Sequence, residues 1–299
     1  VNTQITNNFP VYVVFDRYAY KSDSQVAQTG DNWVYDRLRG TNSVLRANAT
    51  NGTVTSGSGP SLYVSSTGFQ SNTRLNIGPG DGSLSNWYAQ FWTFRRAPSF
   101  LDIVLYDGSG TAKTVNHNLG VAPEMMIVKR RNGPNDWAVY HSSIGPTKYM
   151  YLNSTQAPST SSTHWNNTAP TASVFSVGND NRVGGNNNNY VAYLFASCPG
   201  VSKIGSYTGN GSSITIDCGF SNGARFVLLK RYNASGNWVV FDTSRGIVAG
   251  NDPYLTLNAT GTEISSADFI DPTSSGFIVN SVSGGFNASG DDYVYLAIA

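Results

Sequence analysis

The chain has 299 residues, with 19 Lys and Arg against 18 Asp and Glu and a net charge of +1. Charged residues make up 12% of it, about half the usual share, so no electrostatic argument favours nucleic acid or an acidic membrane surface as a partner. Its unbroken apolar stretches are too short to span a bilayer, while 31 Gly and 12% aromatic residues among many Asn and β-branched side chains point to an all-β chain with tight connections.

Taken in chain order, the first strong element is VYVVFDR, an apolar run ending at Arg17 and read as a buried strand. NWVYDRLRG (residues 32–40) follows, then LRANAT around Asn48, STGFQSN around Phe69 and NWYAQFWTF around Tyr88. The series then starts again: MMIVKRR to Arg131, DWAVYHSSIG (136–145), MYLNST around Asn153, TASVFSVG around Phe175 and NYVAYLFA around Tyr190. It starts a third time with RFVLLKR to Arg231, NWVVFDTSRG (237–246), LTLNAT around Asn258, SSGFIVN around Phe277 and DYVYLAIA around Tyr293. Trp33, Trp137 and Trp238 are 104 and 101 residues apart, and Asn48, Asn153 and Asn258 are 105 and 105 apart. Such a period is expected of duplicated units. The sequence therefore predicts three tandem homologous domains of β-sandwich or jelly-roll type, residues 1–99, 100–199 and 200–299, each of a size normal for a β domain. The length allows three separate cores. No window of helical period with caps stands out.

The second and third units open with LDIVLYDGSGTAKTVNHNLG and VSKIGSYTGNGSSITIDCGF, in which Tyr106 and Tyr207 are each followed by a Gly-x-Gly turn. The first unit has no such opening. VNTQITNNFP aligns with the later half of that hairpin, and the insert YAYKSDSQVAQTG is its own. These features read as the carboxy-terminal part of a longer chain or a processed product. The missing first strand is expected from preceding sequence or from a neighbouring subunit.

The linked series HNLGVAPEMMIVKRRN, DWAVYHSSIG, KYMYLNST and YVAYLFA, followed by GSYTGNGSSITIDCGFSNGARFVLLKR, NWVVFDTSRG, NDPYLTLN, SSGFIV and YVYLAIA, resembles tandem-repeat segments of bacteriophage tail-fibre and appendage proteins. The resemblance covers the second and third units nearly end to end and the first more loosely. It implies a virion structural protein in host recognition, located on the particle surface. Expected partners are a host-cell surface glycan or protein and other virion proteins, in a homotrimer. A capsid-decorating or spacer protein without receptor binding is an alternative, and a glycan-degrading tailspike is another. The resemblance carries no catalytic residues.

Candidate chemistry is sparse. His117, His141 and His164 share no metal-ligand spacing, and each is read as an exposed or hydrogen-bonded loop residue. No nucleophile elbow, phosphate-binding loop or zinc-protease motif is present, so the chain is expected to be neither an enzyme nor a holder of a metal or cofactor. Calcium at acidic loops is the one alternative; GDGS at 80–83 resembles part of a calcium loop but lacks the closing Glu. Asp180, Asp291 and Asp292 are the acidic candidates for glycan hydrolysis, which needs two carboxylates across a cleft. For ligand binding the candidates are Trp33, Trp137 and Trp238, whose rings could stack on sugars, with Asp242 and Arg245 (and Asp36 with Arg39) as a polar pair. The competing reading puts the tryptophans in the core and makes the pairs turn-stabilising ion bridges. The aromatics of NWYAQFW and YKSDS are further candidates for stacking. Asn48, Asn153 and Asn258 are read as strand-ending residues whose side chains bond nearby backbone. Cys198 and Cys218 read as reduced thiols, with a bridge between them geometrically open.

Overall fold

MMIVKR, FVLLKR and VVF are apolar at successive positions. Side chains in a strand alternate between faces, so such runs are stable only in a sheet covered on both sides. The structure, a computed structural model, describes residues 3–6, 13–20, 30–40, 43–55, 62–64, 68–71, 87–280 and 286–299. It is all-β. The first segment holds β1 (Thr3–Thr6), β2 (Val13–Tyr20), β3 (Asn32–Asp36), β4 (Ser43–Arg46), β5 (Val54–Thr55), β6 (Leu62–Val64), β7 (Gly68–Ser71) and β8 (Trp87–Phe94). The second holds β9 (Leu101–Asp107), β10 (Lys113–Asn116), β11 (Met125–Arg130), β12 (Ala138–His141), β13 (Lys148–Tyr151), β14 (Ser159–Thr160), β15 (Val174–Val177) and β16 (Asn189–Phe195). Between β14 and β15 lies a four-residue helix α1 (Ser162–Trp165), capped by the Ser161 side chain accepting from the Thr163 N–H, which the sequence reading did not anticipate. The third holds β17 (Ser202–Thr208), β18 (Ile214–Asp217), β19 (Phe226–Arg231), β20 (Trp238–Asp242), β21 (Tyr254–Thr256), β22 (Ile270–Thr273), β23 (Gly276–Val279) and β24 (Asp292–Ile298).

The three large sheets have matching strand orders: β5-β4-β3-β2-β8, β14-β13-β12-β11-β16-β9 and β21-β20-β19-β24-β17. Smaller sheets also match, since β1 pairs β7 with Ile5 opposite Phe69, β10 pairs β15 with Val115 opposite Phe175, and β18 pairs β23 with Ile216 opposite Phe277. Thus β1 does stand where the later half of each opening hairpin stands. The difference between the sheets lies at one edge: β9 and β17 end their sheets beyond β16 and β24, and among the described strands the first sheet ends at β8.

The alternation of the central strands explains their apolar runs. Met126 and Val128 of β11 face an outer core with Val115, Phe175 and Val177 of the small sheet. Val227 and Leu229 of β19 do the same with Ile216, Phe277 and Val279. The residues between them, Met125 and Ile127, Leu228, and Val13 and Phe15 of β2, all meet in one central cluster. Each segment thus keeps a buried cluster of its own, and in addition the inner faces of all three large sheets meet in one shared central core.

Candidate functional site

The joints between the segments are closed by polar contacts, and they begin at the predicted asparagines. Asn48, Asn153 and Asn258 each accept a backbone N–H on Oδ1, from Asn32 at 2.8 Å, Trp137 at 2.9 Å and Trp238 at 2.8 Å. Their amide nitrogens donate to Asp31, Asp136 and Asn237. The strand-ending role read from the sequence is the one they play. The same bonds correct the register of the first tryptophan: Asn32, not Trp33, stands where Trp137 and Trp238 stand. A slip of one residue turns a side chain to the other face of a sheet. Trp137 and Trp238 are fully buried in the central core and present no face to a ligand. Trp33 is half-buried on the opposite face, against Val14, Tyr35 and Val44, with the Arg46 guanidinium 5.2 Å from its ring centre. Tyr88 is likewise one residue out, because Ala89 pairs Tyr18 as Tyr190 pairs Arg130 and Tyr293 pairs Arg231.

The buried Trp rings reach across segment borders. Trp137 donates its indole N–H to the Arg46 carbonyl at 2.8 Å, and Trp238 donates to the Tyr151 carbonyl at 2.8 Å. Asn32, in the equivalent place, donates its side-chain amide to the carbonyls of Thr256 and Leu257 at 3.1 and 2.9 Å. A buried cation accompanies each contact. Lys129 Nζ bonds the Thr50 carbonyl at 2.6 Å, Lys230 Nζ bonds the Thr155 carbonyl at 3.3 Å, and Arg17 bonds the Ala259 carbonyl at 2.7 Å and that of Gly261. Burial lowers Lys129 to about 7, Lys230 to about 8 and Arg17 to about 10. The second segment thus grips the first, the third grips the second, and the first grips the third, so the ring closes.

Asp36 with Arg39 and Asp242 with Arg245 form one repeated turn. The Arg N–H donates to Asp Oδ1 at 2.9 and 3.0 Å, the guanidinium returns to Oδ2, and its outer nitrogen donates to the carbonyl of Val34 or Val240, both at 2.8 Å. Gly40, Gly145 and Gly246 end the three motifs at positive φ of 85°, 76° and 131°, backbone that favours glycine. Each carboxylate also takes a donor from the neighbouring segment. Tyr193 Oη donates to Asp36 Oδ2 at 2.7 Å, and Trp92 Nε1 donates to Asp242 Oδ2 at 2.9 Å. Burial holds the Tyr193 phenol well above its ordinary value, so it stays a donor. In the third sheet the place of Tyr193 and Trp92 belongs to Leu296, which cannot donate. The place of Asp36 and Asp242 is held in the second sheet by His141. His141 is buried; its Nδ1 accepts the Ser143 N–H at 3.2 Å and its Nε2 lies 3.5 Å from the Tyr295 carbonyl. Burial lowers it to about 4, so it is neutral where a carboxylate would lack a partner.

The histidines are buried rather than exposed. His117 bonds the Thr171 carbonyl at 3.1 Å, and His164 stacks on Tyr149 with ring centres 3.6 Å apart. Asp180 and Asp291 pair with Arg182 and Arg231, and Asp292 accepts from Thr208, so each acidic candidate has a partner within its own sheet region. Cys198 and Cys218 are both free, and burial pushes the Cys218 thiol up to about 12. Among the described residues no group of His, Cys, Asp or Glu could hold a metal ion. GDGS (80–83) and the YKSDS side chains lie outside the described residues, as do those of NWY at the start of NWYAQFW. A groove of about 720 Å³ runs beside β8, between Trp92, Phe94 and Arg95 on one side and Arg225, Phe226 and Asp242 on the other. Arg245 lies 5.6 Å from the Trp92 ring centre, so the candidate pair Asp242–Arg245 borders this groove while its charges are engaged with each other.

Three antiparallel sheets closed around one core, with no helix among the described residues long and apolar enough to cross a membrane, define an all-β protein held together by polar clasps. The chain belongs to the family described as a domain of unknown function, DUF7483, whose model matches residues 20–299. No curated protein matches the chain.

Proposed function

We propose that the chain is a virion structural module of bacteriophage tail-fibre or appendage type, made of three tandem domains at residues 1–99, 100–199 and 200–299, that attaches the particle to a host-cell surface glycan or protein. The observation that carries the reading is how the shared motifs are used. The asparagine turns, the buried cations, the core tryptophans and the turn glycines all serve the scaffold. What differs between segments is the loops, such as the exposed asparagines at 186 and 187, and recognition is assigned to them. A rigid body with variable connections is the arrangement that binding proteins use. In this reading the protein is not an enzyme and needs no cofactor. Its further partners are other virion proteins and two more copies of itself, and its place is the particle surface.

A glycan array probed with the purified protein, together with electron microscopy of particles labelled against it, tests the proposal. Binding to a glycan class and label at the appendage tips support it. Label on the capsid without glycan binding favours a decorating or spacer protein. Release of reducing sugar from a bound glycan would replace attachment with a glycan-degrading spike.

A further inference from the structure

We propose that Asn51 is a site of spontaneous modification, which deamidates through a succinimide and in doing so loosens the joint between the first and second segments. Asn-Gly occurs four times in the chain, at Asn51, Asn132, Asn210 and Asn222. In this dipeptide the following N–H attacks the asparagine side chain with least hindrance, because glycine has no Cβ. The fold restrains three of the four pairs. Asn132 accepts Arg130 Nε and the Asn189 N–H on Oδ1, at 3.1 and 3.2 Å, and donates to the Asn187 carbonyl at 3.0 Å. Asn210 accepts the Ser212 N–H at 2.8 Å, while the Gly211 N–H donates to the Asn287 carbonyl at 2.9 Å. The Gly223 N–H, next to Asn222, donates to the Ser274 carbonyl at 2.7 Å. Asn51 differs from all three. It is exposed, and among the described residues neither its side chain nor the Gly52 N–H makes a hydrogen bond. Nucleophile and electrophile are both available without breaking a contact.

The Gly52 nitrogen bonds Asn51 Cγ, its proton and the side-chain nitrogen leave as ammonia, and the succinimide closes. Water then opens the ring at either carbonyl carbon. Opening at Cγ makes aspartate. Opening at the main-chain carbonyl makes isoaspartate, whose backbone runs through Cβ and Cγ and is one carbon longer. The stretch concerned is the clasp itself. The Thr50 carbonyl accepts Lys129 Nζ at 2.6 Å and the Asn135 N–H at 2.8 Å, and the Thr53 N–H donates to the Arg131 carbonyl at 2.7 Å. Gly52 lies between these anchors without slack, since a Cβ built on it would stand 2.6 Å from the Arg131 carbonyl oxygen and 2.7 Å from the Gly133 nitrogen. Packing this close does not take up an added methylene without displacing a neighbour, so isoaspartate separates one anchor or the other. The other two joints lack this chemistry. Asn51 stands three residues on from Asn48, and three on from Asn153 and Asn258 are Gln156 and Gly261. Glutamine has to close a six-membered ring, which forms far more slowly, and glycine has no amide side chain.

The test incubates the whole protein at mildly alkaline pH, where the Gly52 nitrogen loses its proton more readily, and follows each Asn-Gly site by peptide mapping with mass spectrometry. The same sites in protein unfolded in urea supply the intrinsic rates to which these are referred. In the folded protein Asn51 is expected to gain the mass of deamidation about tenfold faster than Asn132, Asn210 and Asn222, because each of those has a hydrogen bond to break first. Isoaspartyl methyltransferase labels the isoaspartate in the aged protein. Hydrogen exchange in that fraction is expected to rise at Thr53 and Asn135, whose N–H groups cross the clasp, while β20 and β21 keep the protection of fresh protein. Asn51→Gln is expected to gain no mass at this site and to keep its protection on ageing. Two results would overturn the proposal. One is an Asn51 that reacts no faster in the folded protein than the three bonded sites. The other is aged protein rich in isoaspartate whose exchange at Thr53 and Asn135 matches that of fresh protein.

Discussion

Asn32 and Trp238 occupy the same place in their sheets, each giving its backbone N–H to an asparagine Oδ1 at 2.8 Å and its side-chain N–H to a carbonyl of the adjacent segment. One site thus accepts either a small amide or a large indole. The shared requirement is a donor that crosses the joint; the ring adds burial where the central core has room for it.

That equivalence separates the tryptophans by cost. Trp137→Ala and Trp238→Ala each remove a fully buried ring from the central core together with its hydrogen bond across the joint, and each is expected to destabilise by about 3–5 kcal/mol. Trp33→Ala trims a half-buried ring and is expected to cost about 1 kcal/mol, near the middle of ordinary substitutions. Urea unfolding of the three variants checks the order. Equal costs would show that the three rings share one environment after all.

The joint between the first and third segments differs from the other two in having no short covalent link between the strands it joins. Its closure rests on Arg17 and Asn32, which together reach Thr256, Leu257, Ala259 and Gly261. Arg17→Met removes the cation's bonds to Thr256, Ala259 and Gly261 while Asn32 still reaches Thr256, Leu257 and Ala259, at about 1.5–3 kcal/mol, the range for hydrogen bonds to a charged group. Hydrogen exchange is expected to rise in residues 256–261 and in β3 while β11 and β12 keep their protection, since local opening follows the weakest cooperative unit.

The alternation of Asp with Tyr or Trp, and of His with Leu, can be exchanged between joints. His141→Asp alone buries a carboxylate without a guanidinium or a donor from the adjacent segment, because Ile144 and Leu296 hold the places of Arg39 and Tyr193, and is expected to cost about 3–5 kcal/mol, the range for an uncompensated buried charge. Adding Ile144→Arg and Leu296→Tyr rebuilds the Asp36–Arg39–Tyr193 arrangement and is expected to recover most of that loss. Thermal melts of the single, double and triple variants measure the coupling. A triple variant no more stable than His141→Asp would mean that the three joints are not interchangeable.

Much of this architecture was legible in the sequence. The all-β class followed from Gly, Asn and aromatic content, and the equal spacing of Asn48, Asn153 and Asn258 marked positions that turn out to make the same two bonds. Aromatic identity misled where alternation would not have: aligning Trp33 and Tyr88 with their look-alikes shifted each by one residue, which in a strand reverses the face. Counting back from Gly40 and Asp36 puts Asn32 opposite Trp137, so the signal was present in the spacing. The shared core was hidden for a different reason. A run such as MMIVKR requires cover on both faces but does not say that the second cover comes from two other sheets. The contact of His141 with the Tyr295 carbonyl joins two segments 154 positions apart, and nothing local in either stretch announces it.

The same histidine makes stability depend on acidity in a definite direction. His141 is lowered from 6.5 to about 4 because its ring is buried. The unfolded chain therefore takes up this proton at higher pH than the folded one. Stability is complete above about pH 6.5 and is lost as pH falls toward about 4, by at most about 3 kcal/mol from this site at 1.36 kcal/mol per pH unit. His164, lowered to about 4 by burial, acts in the same direction and window. Denaturant melts between pH 7 and 4 are expected to show the loss, and His141→Gln, which cannot titrate, is expected to flatten it by roughly half. A variant whose stability falls with acid as steeply as that of the parent chain would assign the effect to other groups, and an increase in parent stability on acidification would mean that the ring is charged in the folded protein.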